Sequence, residues 1–148
     1  MKKILSIVLI VGLVMGLMPV MVTPALAAVG PEAICVPWLS SNPTVPHYTV
    51  SGASHVLKGI ARSGATHYYW DYGDGSPAMG WTAISNPYNL GVTHTYTGSD
   101  GQLFIATLHV KDGSDNEDQD TYPVRIHADS EDVRINMAID AGLWYLHR

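Results

Sequence analysis

Seven histidines and thirteen acidic side chains are the groups in this 148-residue chain that could ligate a metal or move a proton. The histidines, His47, His55, His67, His94, His109, His127 and His147, are scattered singly. No two stand at the i, i+4 spacing that turns two imidazoles toward one zinc ion from a helix. Ser54 precedes His55 in Gly52-Ala-Ser-His-Val56, but the last position lacks the glycine of a nucleophile elbow. Neighbours along a strand also point to opposite faces, so the two are not a catalytic pair. Asp71 and Asp74 share one tight turn, without the cleft that separates the two carboxyls of a glycoside hydrolase. No glycine-rich loop opens a helix to cradle a phosphate. These residues predict no active site and no enzyme.

Two other groups could bind rather than react. Asp112, Asp115, Glu117, Asp118 and Asp120 are dense enough to attract a hard cation, with Asp112, Asp115 and Asp118 the calcium candidates. They do not follow the Asp-x-Asp-x-Asp-Gly…Glu spacing of an EF-hand, so a solvated acidic turn without a cofactor is favoured. Tyr69 adjoins Trp70, and strand alternation puts the two on opposite faces. With Trp81 and Tyr88 in the loop that follows, Tyr69 forms an aromatic surface suited to sugar rings or a protein partner. Packing against the chain itself is the competing use.

The elements that must position these groups have a period of two. Tyr48–Val50, His55–Ala61, His67–Tyr72, Val92–Tyr96, Leu103–Val110 and Thr121–Ile126 are short runs rich in β-branched and aromatic residues. Turn clusters separate them at Gly73–Ser76, Gly98–Gly101 and Asp112–Asn116. The pattern predicts an all-β fold, an antiparallel β-sandwich over residues 48–128. From Asp129 the period changes. Asp129 or Ser130 caps a helix over residues 129–148, with Glu131 and Asp132 at its positive end. Apolar residues recur at Val133, Met137, Ala141 and Trp144, and again at Ile135, Ile139, Leu143 and Leu146, which predicts burial over much of the helix surface.

The front of the chain is of another kind. Residues 1–27 read as an export signal: Lys2 and Lys3, the uncharged run Ile4–Met18, then Ala25-Leu-Ala27 as the cleavage pattern. A fifteen-residue run is short for a membrane span of about 20 residues. Residues 28–47 carry Pro31, Pro37, Pro43 and Pro46 and read as a linker or an edge-covering arm. The whole chain is 47% hydrophobic with a net charge of −5, which becomes −7 without the two leader lysines. Six singly scattered basic residues exclude a phosphate-backbone site and a polybasic membrane site. The expected product is secreted or otherwise extracytoplasmic, with neither nucleic acid nor membrane as partner after cleavage. The lone Cys35 cannot close an intramolecular disulfide, so the core alone must hold the fold.

Three blocks in order, Tyr69-Trp-Asp-Tyr-Gly-Asp-Gly75, His94-Thr-Tyr96 and Ala106-Thr-Leu-His-Val-Lys-Asp112, resemble the polycystic kidney disease (PKD) domain family over about 80 residues. The family pattern is a Trp-Asp-Phe-Gly-Asp-Gly turn, a later His-Thr-Tyr and a Leu-Thr-Val-x-Asp strand end. Tyr72 stands for the usual Phe and His109 for the usual Thr, and the gap between the first two blocks is long. The resemblance implies an immunoglobulin-like sandwich in which Trp70, Asp71, Gly73, Asp74, Gly75, His94, Tyr96 and Asp112 are structural. Tyr96 would be the corner tyrosine that ties one edge to nearby backbone. It implies a non-catalytic spacer or accessory module contacting protein or polysaccharide at the cell exterior, and some family members bind calcium. Asn136–Leu146 is similar to the opening helix of the α/α-toroid repeats of prenyltransferase and squalene-cyclase relatives. That likeness implies the alternative of an N-terminal fragment of a larger exported enzyme or surface protein, with a helical domain beyond Arg148.

Overall fold

The structure, a computed structural model, describes residues 30–36 and 45–147. The expected leader and residues 37–44 of the proline-rich segment lie outside the described residues. Among the described residues, nine strands precede one helix: β1 (Glu32–Cys35), β2 (His47–Val50), β3 (Ser54–Leu57), β4 (Gly59–Arg62), β5 (His67–Asp71), β6 (Thr82–Ala83), β7 (Val92–Thr95), β8 (Leu103–Lys111), β9 (Glu117–His127) and α1 (Glu131–His147). One layer is a five-stranded sheet in the order β2-β9-β8-β5-β6. The other is built around β3 and β4, two halves of one strand that breaks at Lys58. β1 pairs with β4, and β7 pairs with β3. Leu90 N and Ala61 N donate to Gly59 O and Pro87 O, which carries the β7 side of this layer past the break.

Alternation along the strands makes the core. On β8, Phe104, Ala106, Leu108 and Val110 point inward, and on β9 Tyr122, Val124 and Ile126 do the same. Trp70 from β5 and Leu57 from β3 close the cluster between the layers. At Gly59 the layers are in close contact. A Cβ there would lie 2.6 Å from Leu108 Cδ2 and 3.0 Å from Trp70 Cζ2.

Four features differ from the expectations of the sequence. The β2–β9 pair is parallel, His47 beside Val124 through Val50 beside His127, where all pairings were expected to be antiparallel. Parallel neighbours need a long crossover, and here the rest of the sandwich lies between them in the chain. The segment 28–47, read as a linker or an edge-covering arm with no regular strand, contributes β1, which lies along β4 as an arm would. Glu117–Asp120, expected in a solvated turn, extend β9, because their backbone pairs with residues 108–111 of β8. The helix, expected to be buried over much of its surface, is covered on one side. Val133, Met137, Asp140 and Trp144 face the sandwich, with Trp144 buried, while Ala141 is exposed. Ser130 caps it, Val133 N donating to Ser130 Oγ at 3.4 Å. Among the described residues, no helix is long and apolar enough to cross a membrane.

Candidate functional site

The first of the three sequence blocks is brought together with the second. Trp70 fills the core and its Nε1 donates to Leu90 O at 2.8 Å. Asp71 Oδ1 accepts from Gly73 N at 2.9 Å, and Asp74 Oδ1 accepts from Ser76 N at 3.0 Å, two successive Asx turns. Gly73, at φ 71°, has no room for a side chain, since a Cβ would overlap the Ile105 carbonyl. Gly75 also has a positive φ, 83°, but lies in open space. His94 Nε2 lies 2.7 Å from Asp74 Oδ2, and its ring stacks on Tyr72 with centroids 3.9 Å apart. Partial burial pushes the Asp74 carboxyl up, but hydrogen bonds from His94 and Ser76 outweigh it and hold the group at about 2. Tyr96 is buried, and its hydroxyl donates to Tyr72 O at 3.0 Å. The hydrogen bonds of Asp71, Asp74, His94 and Tyr96 in this corner run to other groups of the chain, an arrangement that positions strands.

The acidic residues are dispersed. Asp112 accepts from Ser114 N, Asn116 N and Asn116 Nδ2 within the β8–β9 turn. Asp115 pairs with Lys111 at 2.7 Å. Asp118 turns inward across the layers, where Oδ2 accepts from Ala33 N at 2.9 Å, and Asp120 Oδ2 accepts from Cys35 N at 2.7 Å. The calcium candidates therefore serve three different backbone or side-chain partners. Among the described residues, no group of three or more ligand-type side chains is placed to hold a metal ion.

The aromatic candidates separate into two places. Tyr69 and Trp81 meet on the outer face of the five-stranded sheet. Tyr69 lies flat on His109, with centroids 4.3 Å apart and planes 2° from parallel, and Trp81 meets it at 4.6 Å and 79°. Burial lowers the pKa of His109, favouring the neutral ring against Tyr69. Lys111 Nζ sits 4.9 Å from the Trp81 centroid. Register puts Gln119 beside His109, and Thr107 beside both Asp71 and Thr121, so hydrogen-bonding side chains continue the patch. Tyr69 is partly covered by its neighbours, and Trp81 is the more open ring, 38% exposed. Tyr88 stands elsewhere, beside a surface cavity of about 320 Å³ lined by Arg62, Ser63, Gly64 and Pro87.

One cluster was missed by the sequence reading. Beneath α1, buried Lys58 and His47 both reach Asp140: the Lys58 ammonium pairs with it, and His47 Nδ1 lies 3.3 Å away. His47 stacks on Tyr122 at 4.0 Å, and His55 lies 6.1 Å from His47. The Nε2 atoms of His47 and His55 are buried without a hydrogen-bond partner. Burial lowers the pKa of Lys58 and of His47. It takes His55 to about 3, with the neighbouring His47 and Lys58 charges adding to the shift. Burial alone would raise Asp140, but the hydrogen bonds from His47 and Lys58 bring it to about 2. The signal available in the sequence was a carboxylate on an apolar stripe, Asp140 between Met137 and Trp144, and a lysine inside an apolar run.

No family model and no curated protein matches the chain. Among solved structures it is similar to a carbohydrate-binding module from the β-sandwich superfamily, described for its promiscuous specificity. The two are 19% identical with a TM-score of 0.47, covering 70% of this chain and 36% of the other. The chain thus spans about a third of the length of that protein. It is also similar to the PKD domain of an M14-like peptidase from Thermoplasmatales archaeon SCGC AB-540-F20. Here the identity is 17% and the TM-score 0.42, covering 69% of this chain and 100% of the other.

Proposed function

We propose that this chain is an exported, non-catalytic β-sandwich module that serves as an accessory domain and contacts polysaccharide through the outer face of its five-stranded sheet. The observation that carries the reading is the Trp81 patch. The Trp81 indole meets Tyr69 edge to face, has the Lys111 ammonium over its ring and is 38% exposed, so it offers apolar area already steadied by its neighbours. Thr107, Gln119 and Asp71 continue the same face of the sheet with donors and acceptors for sugar hydroxyls. Flat apolar area beside short polar side chains on a rigid sheet suits a pyranose ring, which has an apolar face and a polar rim. Tyr69 acts in this reading as the support that fixes the Trp81 ring.

The test is affinity electrophoresis in native gels containing soluble xylan, β-glucan or mannan. The wild-type chain is expected to be retarded in at least one of them. Trp81→Ala combined with Tyr69→Ala should abolish that retardation while the thermal midpoint moves by only a few degrees. Equal mobility of wild type and double variant in every gel would sink the polysaccharide reading.

A further inference from the structure

Helix α1 carries two apolar faces, and the sandwich covers one of them. The docked residues Val133, Met137, Asp140 and Trp144 follow a 4-3-4 spacing. Ile135, Ile139, Gly142 and Leu146 repeat the same spacing about 160° around the helix. This outer row is exposed: Ile135 49%, Ile139 56% and Leu146 80%, with Leu143 at its margin 63%. A Cβ at Gly142 would meet nothing within 4 Å, so the small residue there answers no packing need inside the chain. Glycine at mid-helix costs helix stability, and four exposed aliphatic side chains in line with it make a contiguous helix-packing seam.

We propose that this seam is a self-association surface, covered by a second copy of the chain in an antiparallel helix pair. The argument is self-complementarity. A two-fold axis between residues 140 and 141 sets Ile139 opposite Gly142 of the second copy, Ala138 opposite Leu143, and Ile135 opposite Leu146. Large faces small at the centre, where the two backbones come nearest, and large faces large at the ends. The flanks are compatible in charge. Asp132 in the first turn falls within about one turn of His147 of the second copy, with the helix dipoles opposed. A parallel pair would instead align Asp132 with Asp132 and leave a gap at Gly142. The sandwich lies on the far side of each helix and stays clear of the contact. A 17-residue helix is about 25 Å long. One such strip is smaller than the roughly 800 Å² per partner of a standard interface, so the pair is weak and concentration-dependent.

Sedimentation equilibrium of the chain tests this. The weight-average mass is expected to climb from one chain toward two between about 1 and about 500 µM. Ile139→Glu should hold the chain monomeric over that range with its circular dichroism unchanged. Gly142→Leu separates this role from a structural one: it should raise the thermal midpoint, because leucine favours helix, yet weaken association at least tenfold by filling the hole. Ile139→Cys mixed with Gly142→Cys should cross-link faster than either variant alone, the buried Cys35 taking no part. A chain that stays monomeric to 500 µM overturns the proposal and leaves the seam to a different helical partner. Association indifferent to both substitutions, or equal cross-linking in all mixtures, overturns it as well.

Discussion

Asp140 is the residue on which the docking of the helix turns. It is the carboxylate that faces both Lys58 and His47, and Lys58 is buried. Removing one partner of a buried ion pair leaves the other charge without compensation, at a cost of about 3–5 kcal/mol. Asp140→Ala should therefore lower unfolding free energy in urea by about that amount. Asp140→Leu combined with Lys58→Met should recover most of it, since an apolar pair of similar volume avoids the desolvation of either charge. The two histidines set a pH dependence of definite sign. His55 titrates near 3 in the folded chain and near 6.5 unfolded, and His47 is shifted in the same direction. Between those values the unfolded chain binds more protons, so stability is full above about pH 6.5 and falls as pH drops toward 3. Each group contributes at most about 1.4 kcal/mol per pH unit. Denaturant midpoints taken at pH 7.5, 6 and 4.5 should decrease in that order. His55→Phe should flatten the curve, and an unchanged slope would remove His55 as its source. None of this was legible in the sequence, because Lys58 and Asp140 are 82 residues apart. What could be read was only that each polar residue interrupts an apolar pattern.

At the scale of elements the sequence was more informative. Period-two runs anticipated β5, β7 and β8 to within a residue at either end, because one face of each strand is core and the other is not. The same logic failed where both faces carry polar residues. Glu117-Asp-Gln-Asp120 looks like a turn in composition, but β8 supplies a complete partner strand and draws it into β9. The break at Lys58 was hidden too, since His55–Ala61 reads as one run, whereas in the fold Val36 N and Leu90 N donate to the successive carbonyls of Lys58 and Gly59 from two different segments. The β5–β7 corner was legible in type, as turn glycines and aspartates, but its closeness to β8 was not. Gly73 lies so near the Ile105 carbonyl that Gly73→Ala should cost about 2 kcal/mol or more, with positive φ and the clash adding. Gly75→Ala has the same φ problem but open space, and should cost about 1 kcal/mol. Thermal melts of the two variants should differ by several degrees, and equal midpoints would mean that the close approach at Gly73 relaxes without cost.

For the molecule as a whole, the core between two layers must provide stability without covalent help: Cys35 is fully buried and burial raises its thiol pKa, so it is chemically silent in the folded chain. The capture of two β1 amides by carboxylates from the opposite layer bears on how such molecules behave in a crowd. Ala33 N and Cys35 N point away from β4, and they would otherwise be a docking rail for any extended peptide. Asp118 and Asp120, on β9 of the opposite layer, occupy that rail with side-chain carboxylates, which accept without continuing a backbone ladder. A neighbouring chain arriving at this border finds its donors already matched and two carboxylates in its way. As long as those two aspartates stay in place, the free border of β1 is a poor template for a further strand.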